Sequence, residues 1–115
     1  MEQYNFSLDQ GSTFSMSLSY KDPANNVLSL RGISARMQFR STLSTSSKLL
    51  EISTDDMNQM WVSPAGDTLN IKIPHTLTAM LPPSVTVYDI EVMFPNGNVI
   101  KMLKGVCRVI GEVTR

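Results

Sequence analysis

The sequence predicts an all-β protein: an antiparallel sandwich of two sheets, with seven to eight strands and at most one short helical turn. Three observations lead there. Apolar residues alternate with polar ones along most of the chain, which is the period of strands with one buried face. Turn residues break that alternation at spacings of roughly 8 to 12 residues. Almost no stretch repeats its apolar residues at helical spacing. At 115 residues, 42% of them hydrophobic, the chain has the length of a single domain, read as residues 1–115. That is enough to bury a core without disulfides or a structural metal.

Tyr4, Phe6 and Leu8 alternate with polar neighbours, DQGS at 9–12 breaks the run, and Phe14, Met16, Leu18 and Tyr20 resume it. Two strands joined at a glycine bend are expected. DPANN at 22–26 is turn chemistry, because proline fixes φ and asparagine tolerates the left-handed region. A short apolar stretch at 27–30 and a reset at Arg31 and Gly32 lead into the alternation of Ile33, Ala35, Met37 and Phe39. STLSTSS at 41–47 is a polar connection, expected to be exposed. Leu49, Leu50 and Ile52 make a modest strand. Residues 53–59 form a turn in which Ser53 or Thr54 caps the amides of Asp55 and Asp56. Met60 to Val62 is a short strand, and PAGD at 64–67 turns the chain into the alternation of Leu69, Ile71 and Ile73. Residues 76–81 fit one helical turn. Thr86, Tyr88, Ile90, Val92 and Phe94 share a face, PNGN at 95–98 supplies a tight turn, and the return strand runs over 99–110 with a bulge expected at Gly105. The inward set is read as Phe6, Phe14, Met16, Leu18, Leu30, Ile33, Met37, Phe39, Ile71, Ile73, Tyr88, Ile90, Val92 and Val109. So many short strands with so little helix give an immunoglobulin-like sandwich.

Ten Lys and Arg balance ten Asp and Glu. A net charge of zero lacks the electrostatic footprint of a protein that grips phosphate backbones, so nucleic acid is not an expected partner. No stretch approaches the roughly 18 apolar residues of a membrane span, and the opening residues lack a basic segment followed by an apolar run. Membrane is therefore not expected either. The single cysteine, Cys107, cannot form an internal disulfide, and a cytoplasm-like setting is the expectation.

No catalytic, cofactor-binding or metal-ligating set emerges. A nucleophile needs a base held beside it. The only histidine, His75, follows Pro74 at a strand end and reads as a solvated connection residue; Cys107 reads as a small buried hydrophobe. Asp55 with Asp56 reads as a capped turn, and Asp89 with Glu91 as a solvated strand face; neither pair has ligand spacing. Of the eight methionines, Met16 and Met37 fall on inward faces, whereas Met93 lies opposite Tyr88, Ile90 and Val92 and is placed to meet a neighbour.

Four stretches in order, LDQGSTF at 8–14, LRGISARMQFR at 30–40, VYDIE at 87–91 and PNGNV at 95–99 running through Gly105 to EVTR at 112–115, carry a resemblance that covers nearly the whole chain. They resemble the small β-sandwich modules of phage and prophage tail and baseplate proteins, including the amino-terminal domain of baseplate upper proteins. The resemblance implies a non-enzymatic virion scaffold or adaptor. It implies no cofactor, and many copies in a symmetric assembly with other virion structural proteins. Synthesis would take place in the bacterial host cytoplasm. Within the virion, a head decoration or neck protein is the alternative placement. From another class, a carbohydrate-binding or adhesin module would need exposed aromatics, and most of the eight here fall on inward faces. Tyr88 resembles the tyrosine that ties a sandwich corner through its hydroxyl. Arg31 departs from the small or polar neutral residue that the pattern favours before the glycine. With Met93 and the tail Glu112, Val113, Thr114 and Arg115, it makes up the expected protein interface.

Overall fold

A computed structural model describes residues 2–42, 44 and 47–111. The alternating stretches form β1 (Glu2–Gln3), β2 (Phe6–Asp9), β3 (Phe14–Leu18), β4 (Ser34–Arg40), β5 (Leu50–Ser53), β6 (Met60–Val62), β7 (Leu69–Ile73), β8 (Val85–Met93) and β9 (Val99–Ile110). One helical turn, α1 (His75–Thr78), stands between β7 and β8. The strands make two sheets. The larger runs β1-β9-β8-β4-β5, with β2 also on β9; the smaller runs β3-β7-β6. In the lettering of immunoglobulin domains the small sheet is B, E and D, and β9, β8, β4 and β5 are G, F, C and C′. The all-β sandwich read from the sequence is the fold.

One part of that reading is corrected. The pairs β4–β5, β4–β8, β8–β9, β3–β7 and β6–β7 are antiparallel, but β1 and β2 run parallel to β9. Gln3 faces Lys104 and Phe6 faces Cys107, so β1 and β2 are one ribbon in one register, interrupted at Tyr4 and Asn5. Gly11, at φ 84°, bends the chain out of one sheet and into the other. Alternation reports that a strand has an inward face; it carries no information on which partner the strand finds. The expected bend is there, and it separates sheets instead of closing a hairpin.

Residues 27–30 form no strand: Val27 makes only an isolated bridge to Lys21, and Val27 and Leu28 stay exposed while Leu30 is fully buried. A smaller expectation, the place of the β8–β9 bulge, also changes. The β8–β9 bulge is at Met102, because Leu103 faces Ile90 while Lys101 faces Glu91. Gly105 stays in register opposite Tyr88. Of the connection at 41–47, the described residues 41, 42, 44 and 47 are exposed as expected.

The core lies between the sheets. Leu30, Met37, Phe39, Ile71, Ile73, Tyr88, Ile90, Val92 and Val109 are buried as read; Phe6, Phe14, Met16, Leu18 and Ile33 pack against them only partly buried. Leu8, Ala35, Leu50, Ile52, Met60, Leu69, Leu81, Met102, Leu103 and Cys107 are buried with them. A polar stitch closes one end. The fully buried Thr78 hydroxyl donates to the Ser12 carbonyl at 2.8 Å and accepts the Gly11 amide at 3.1 Å, tying α1 to the crossover between the sheets. Asp22 accepts the Asn26 amide at 2.9 Å in the expected turn, and the Ser53 hydroxyl accepts that of Asp55 at 3.2 Å.

Candidate interaction surfaces

The outward residues of β5, β4, β8 and β9 form a charged ladder. Alternation places Glu51, Arg36, Glu91 and Lys101 on the solvent side of successive strands, where cross-strand neighbours come within reach of one another. Arg36 donates through Nη2 to Glu91 Oε1 at 2.9 Å, and Lys101 Nζ bridges Glu91 at 2.9 Å and Asp89 at 3.2 Å. Lys48 Nζ holds Glu51 Oε2 at 2.9 Å. The hydrogen bond from Lys101, against the opposing effect of burial, keeps the Glu91 carboxyl below its ordinary value of 4.5. Lys48 does the same for Glu51. Burial pulls Lys101 down, but its bonds to Glu91 and Asp89 outweigh that and raise it. Because the folded state favours ionised Glu91, the ladder's contribution is present above the ordinary value and is lost as pH falls through and below it. Exposed pairs of this kind contribute little. Glu91→Gln should therefore lower stability by about 0.5–1 kcal/mol at neutral pH and low salt, and by almost nothing near about pH 2; urea melts at the two pH values measure the difference.

Arg31 is exposed but has a partner in its own chain. Its Nη2 donates to the Ala65 carbonyl at 3.0 Å, and its stem lies over Gly66, where a Cβ would stand 2.5 Å from Arg31 Cγ. The Leu30 amide donates to the Gly66 carbonyl at 2.7 Å, so the turn before β4 is braced against the turn after β6. Met93 points outward as read, 48% exposed, beside a shallow depression of about 280 Å³ shared with Ser34, Arg36, Thr54 and Glu91. Arg31 and Met93 have no residue in common among these contacts. The tail residues Glu112, Val113, Thr114 and Arg115 lie outside the described residues.

Cys107 is fully buried in the middle of β9, facing Phe6 and Thr86, and burial pushes its thiol up to about 11. His75 is exposed at the start of α1. Among the described residues no three His, Cys, Asp or Glu side chains gather as a metal site would require.

The amino-terminal ribbon is held by a device that sequence reading missed. Between β1 and β2 the Tyr4 amide donates to the Lys104 carbonyl at 2.9 Å, but the Val106 amide takes the Asn5 side-chain oxygen at 3.0 Å in place of a main-chain acceptor. The Tyr4 carbonyl is thereby free to turn inward over Gly105, where it accepts the Tyr88 hydroxyl at 2.6 Å. A Cβ at Gly105 would overlap that oxygen and stand 2.8 Å from its carbon. Burial raises the Tyr88 phenol well above its ordinary value, keeping it a donor. Tyr88 thus ties the sandwich through its hydroxyl, to the link between β1 and β2 and not to a corner. The stacked rings of Tyr4, Phe6 and Phe14, with Tyr88 edge-on to Phe6 at 5.0 Å, complete the join.

Between this ribbon and β3 the sandwich is open at the side. A cleft of about 410 Å³ has Gln3, Tyr4 and Leu103 on one wall and the whole of β3 on the other. It continues, through Leu18 and Leu103, into a groove of about 580 Å³ bounded by residues 18–23 and 100–103. No protein-family model matches this chain, and no curated protein matches it.

Proposed function

We propose that the chain is a non-enzymatic structural subunit of a bacteriophage virion, a tail or baseplate scaffold or adaptor working through contacts with other virion proteins. The observation that carries the reading is where the four resembling stretches fall. They lie on β2 and the turn into β3, on β4, on β8, and on the hairpin leading into β9. β2, β9, β8 and β4 are consecutive neighbours in the larger sheet. The described parts of the stretches thus share one sheet of the fold, which supports reading them together. The exposed edges and apolar side chains suit a subunit that meets neighbours, including Met93, Val85, Val99 and Ile110, all 45–51% exposed.

The test is mass spectrometry of particles purified by density gradient from lysates of the source strain, followed by separation of tails from heads. The protein is expected in intact particles at a fixed copy number and in the tail fraction. Recovery with heads would move it to the decoration or neck role. Absence from particles, with abundant free protein, would overturn the reading.

A further inference from the structure

Among the described residues β3 has a strand neighbour on one side only, β7. In an immunoglobulin sheet of the A, B, E, D kind, a first strand occupies the other side of B. Here the amino-terminal ribbon has gone to β9, and the position beside β3 holds the cleft. The consequence shows in burial: Phe14, Met16 and Leu18 remain half-buried, while their partners Ile73, Ile71 and Leu69 on β7 are at most 1% exposed. Edge strands normally carry a charge, a proline or a bulge that discourages pairing, or are very short. β5 carries Glu51, β6 has three residues, and the β1–β2 ribbon is interrupted at Tyr4. β3 has five residues, FSMSL, with none of these devices.

We infer that this cleft accepts one extended peptide strand from another polypeptide, uncharged and apolar at every second residue, which adds to β3 as the fourth strand of the small sheet. This deepens the assembly reading above and rests on it for the identity of the donor, a neighbouring virion subunit. The geometry selects the occupant. The cleft lies between the two sheets, with Gln3, Tyr4 and Leu103 across from β3, so a whole folded domain pairing with β3, a second copy included, would have to bring its own second sheet past the amino-terminal ribbon. A lone segment enters. None of the residues lining the cleft is charged, so a segment such as 112–115 would have to strip Glu112 or Arg115 of water with no counter-charge. A strand alternating as β3 does would set its apolar residues beside Met16, Tyr4 and Leu103 and its polar residues outward with Ser15 and Ser17. Main-chain hydrogen bonds would supply the affinity and the alternate side chains the selectivity.

The probe is a capped synthetic peptide of residues 12–20 of this chain, STFSMSLSY, which carries that alternation in either direction. Titrated into ¹⁵N-labelled full-length protein, it is expected to shift the amides of β3, Gln3, Tyr4 and Leu103 and to slow hydrogen exchange along β3. A peptide N-methylated at alternate amides, and one carrying Met16→Lys, should each bind at least about tenfold more weakly. Four results overturn the inference: no shifts at saturating peptide, shifts centred on β5, equal binding of the N-methylated peptide, or tighter binding by a peptide of residues 111–115. Failure here with the protein still found in particles would remove the cleft and leave the virion role. Binding here with the protein absent from particles would do the reverse.

Discussion

Gly105→Ala is expected to destabilise the protein by about 2–4 kcal/mol and to release the amino-terminal ribbon from β9. The sign is what makes the test informative. A strand glycine with ordinary dihedral angles costs the folded state entropy, and replacing it with alanine normally gains about 0.5–1 kcal/mol. Here the new methyl group would occupy the place of the Tyr4 carbonyl oxygen, which is backbone and cannot swing aside like the end of a side chain. Moving it breaks the bond from the buried Tyr88 hydroxyl and pulls Asn5 away from the Val106 amide. A buried hydroxyl left without an acceptor costs about 1–3 kcal/mol by itself. Hydrogen exchange should show the Tyr4 and Val106 amides opening together, while the β8–β4 pairs keep their protection. Tyr88→Phe should cost about 1 kcal/mol alone, and most of that should vanish in the Gly105→Ala background, since both changes act on one contact. A stabilising Gly105→Ala, or strictly additive costs, would show that the ribbon is not held this way.

The second large effect is expected at Phe39. Its side chain is fully buried, flanked by Leu50 on β5 and Tyr88 on β8, with the Tyr88 ring 6.0 Å away. Phe39→Ala should cost about 3–5 kcal/mol, a large part of the stability of a domain this size. Phe14→Ala should cost roughly half as much, because Phe14 faces the open cleft and its loss leaves no closed cavity. Urea denaturation of the two variants measures the ratio. Equal costs would mean that the cleft is closed in solution.

The contrast between these two phenylalanines marks what the sequence could and could not tell. Both sit on the apolar side of a clean alternation, and both point inward as that alternation requires. Period two reports the face of a strand and nothing about how much lies across from it. The same limit explains the amino-terminal ribbon, whose pattern is as regular as that of β4 although its partner is parallel and at the far end of the chain. The hairpin is legible in the sequence, its return strand down to both ends, because its turn residues are local. The reason for Gly105 was not, since the oxygen that excludes a side chain there belongs to Tyr4. Arg31 was marked as unusual for its position, and its proximity to Gly66 supplies a physical reason: a turn glycine without a side chain leaves room for the arginine stem. Met93 was placed outward by pattern alone, and is.

The Asn5–Val106 hydrogen bond spans 101 positions of the chain. During synthesis, the strand that β1 and β2 need is among the later ones to leave the ribosome, and it is also the one that joins them to β8. Until it emerges, the nascent polypeptide carries the apolar sides of β3, β4 and β7 with the sandwich unfinished. A fold so dominated by distant pairings gains little from its early contacts and closes late. Its period of greatest exposure to wrong partners therefore falls before β9 is available. Production at lower temperature, or with a holding chaperone present, should raise the soluble yield more than any change to the finished surface.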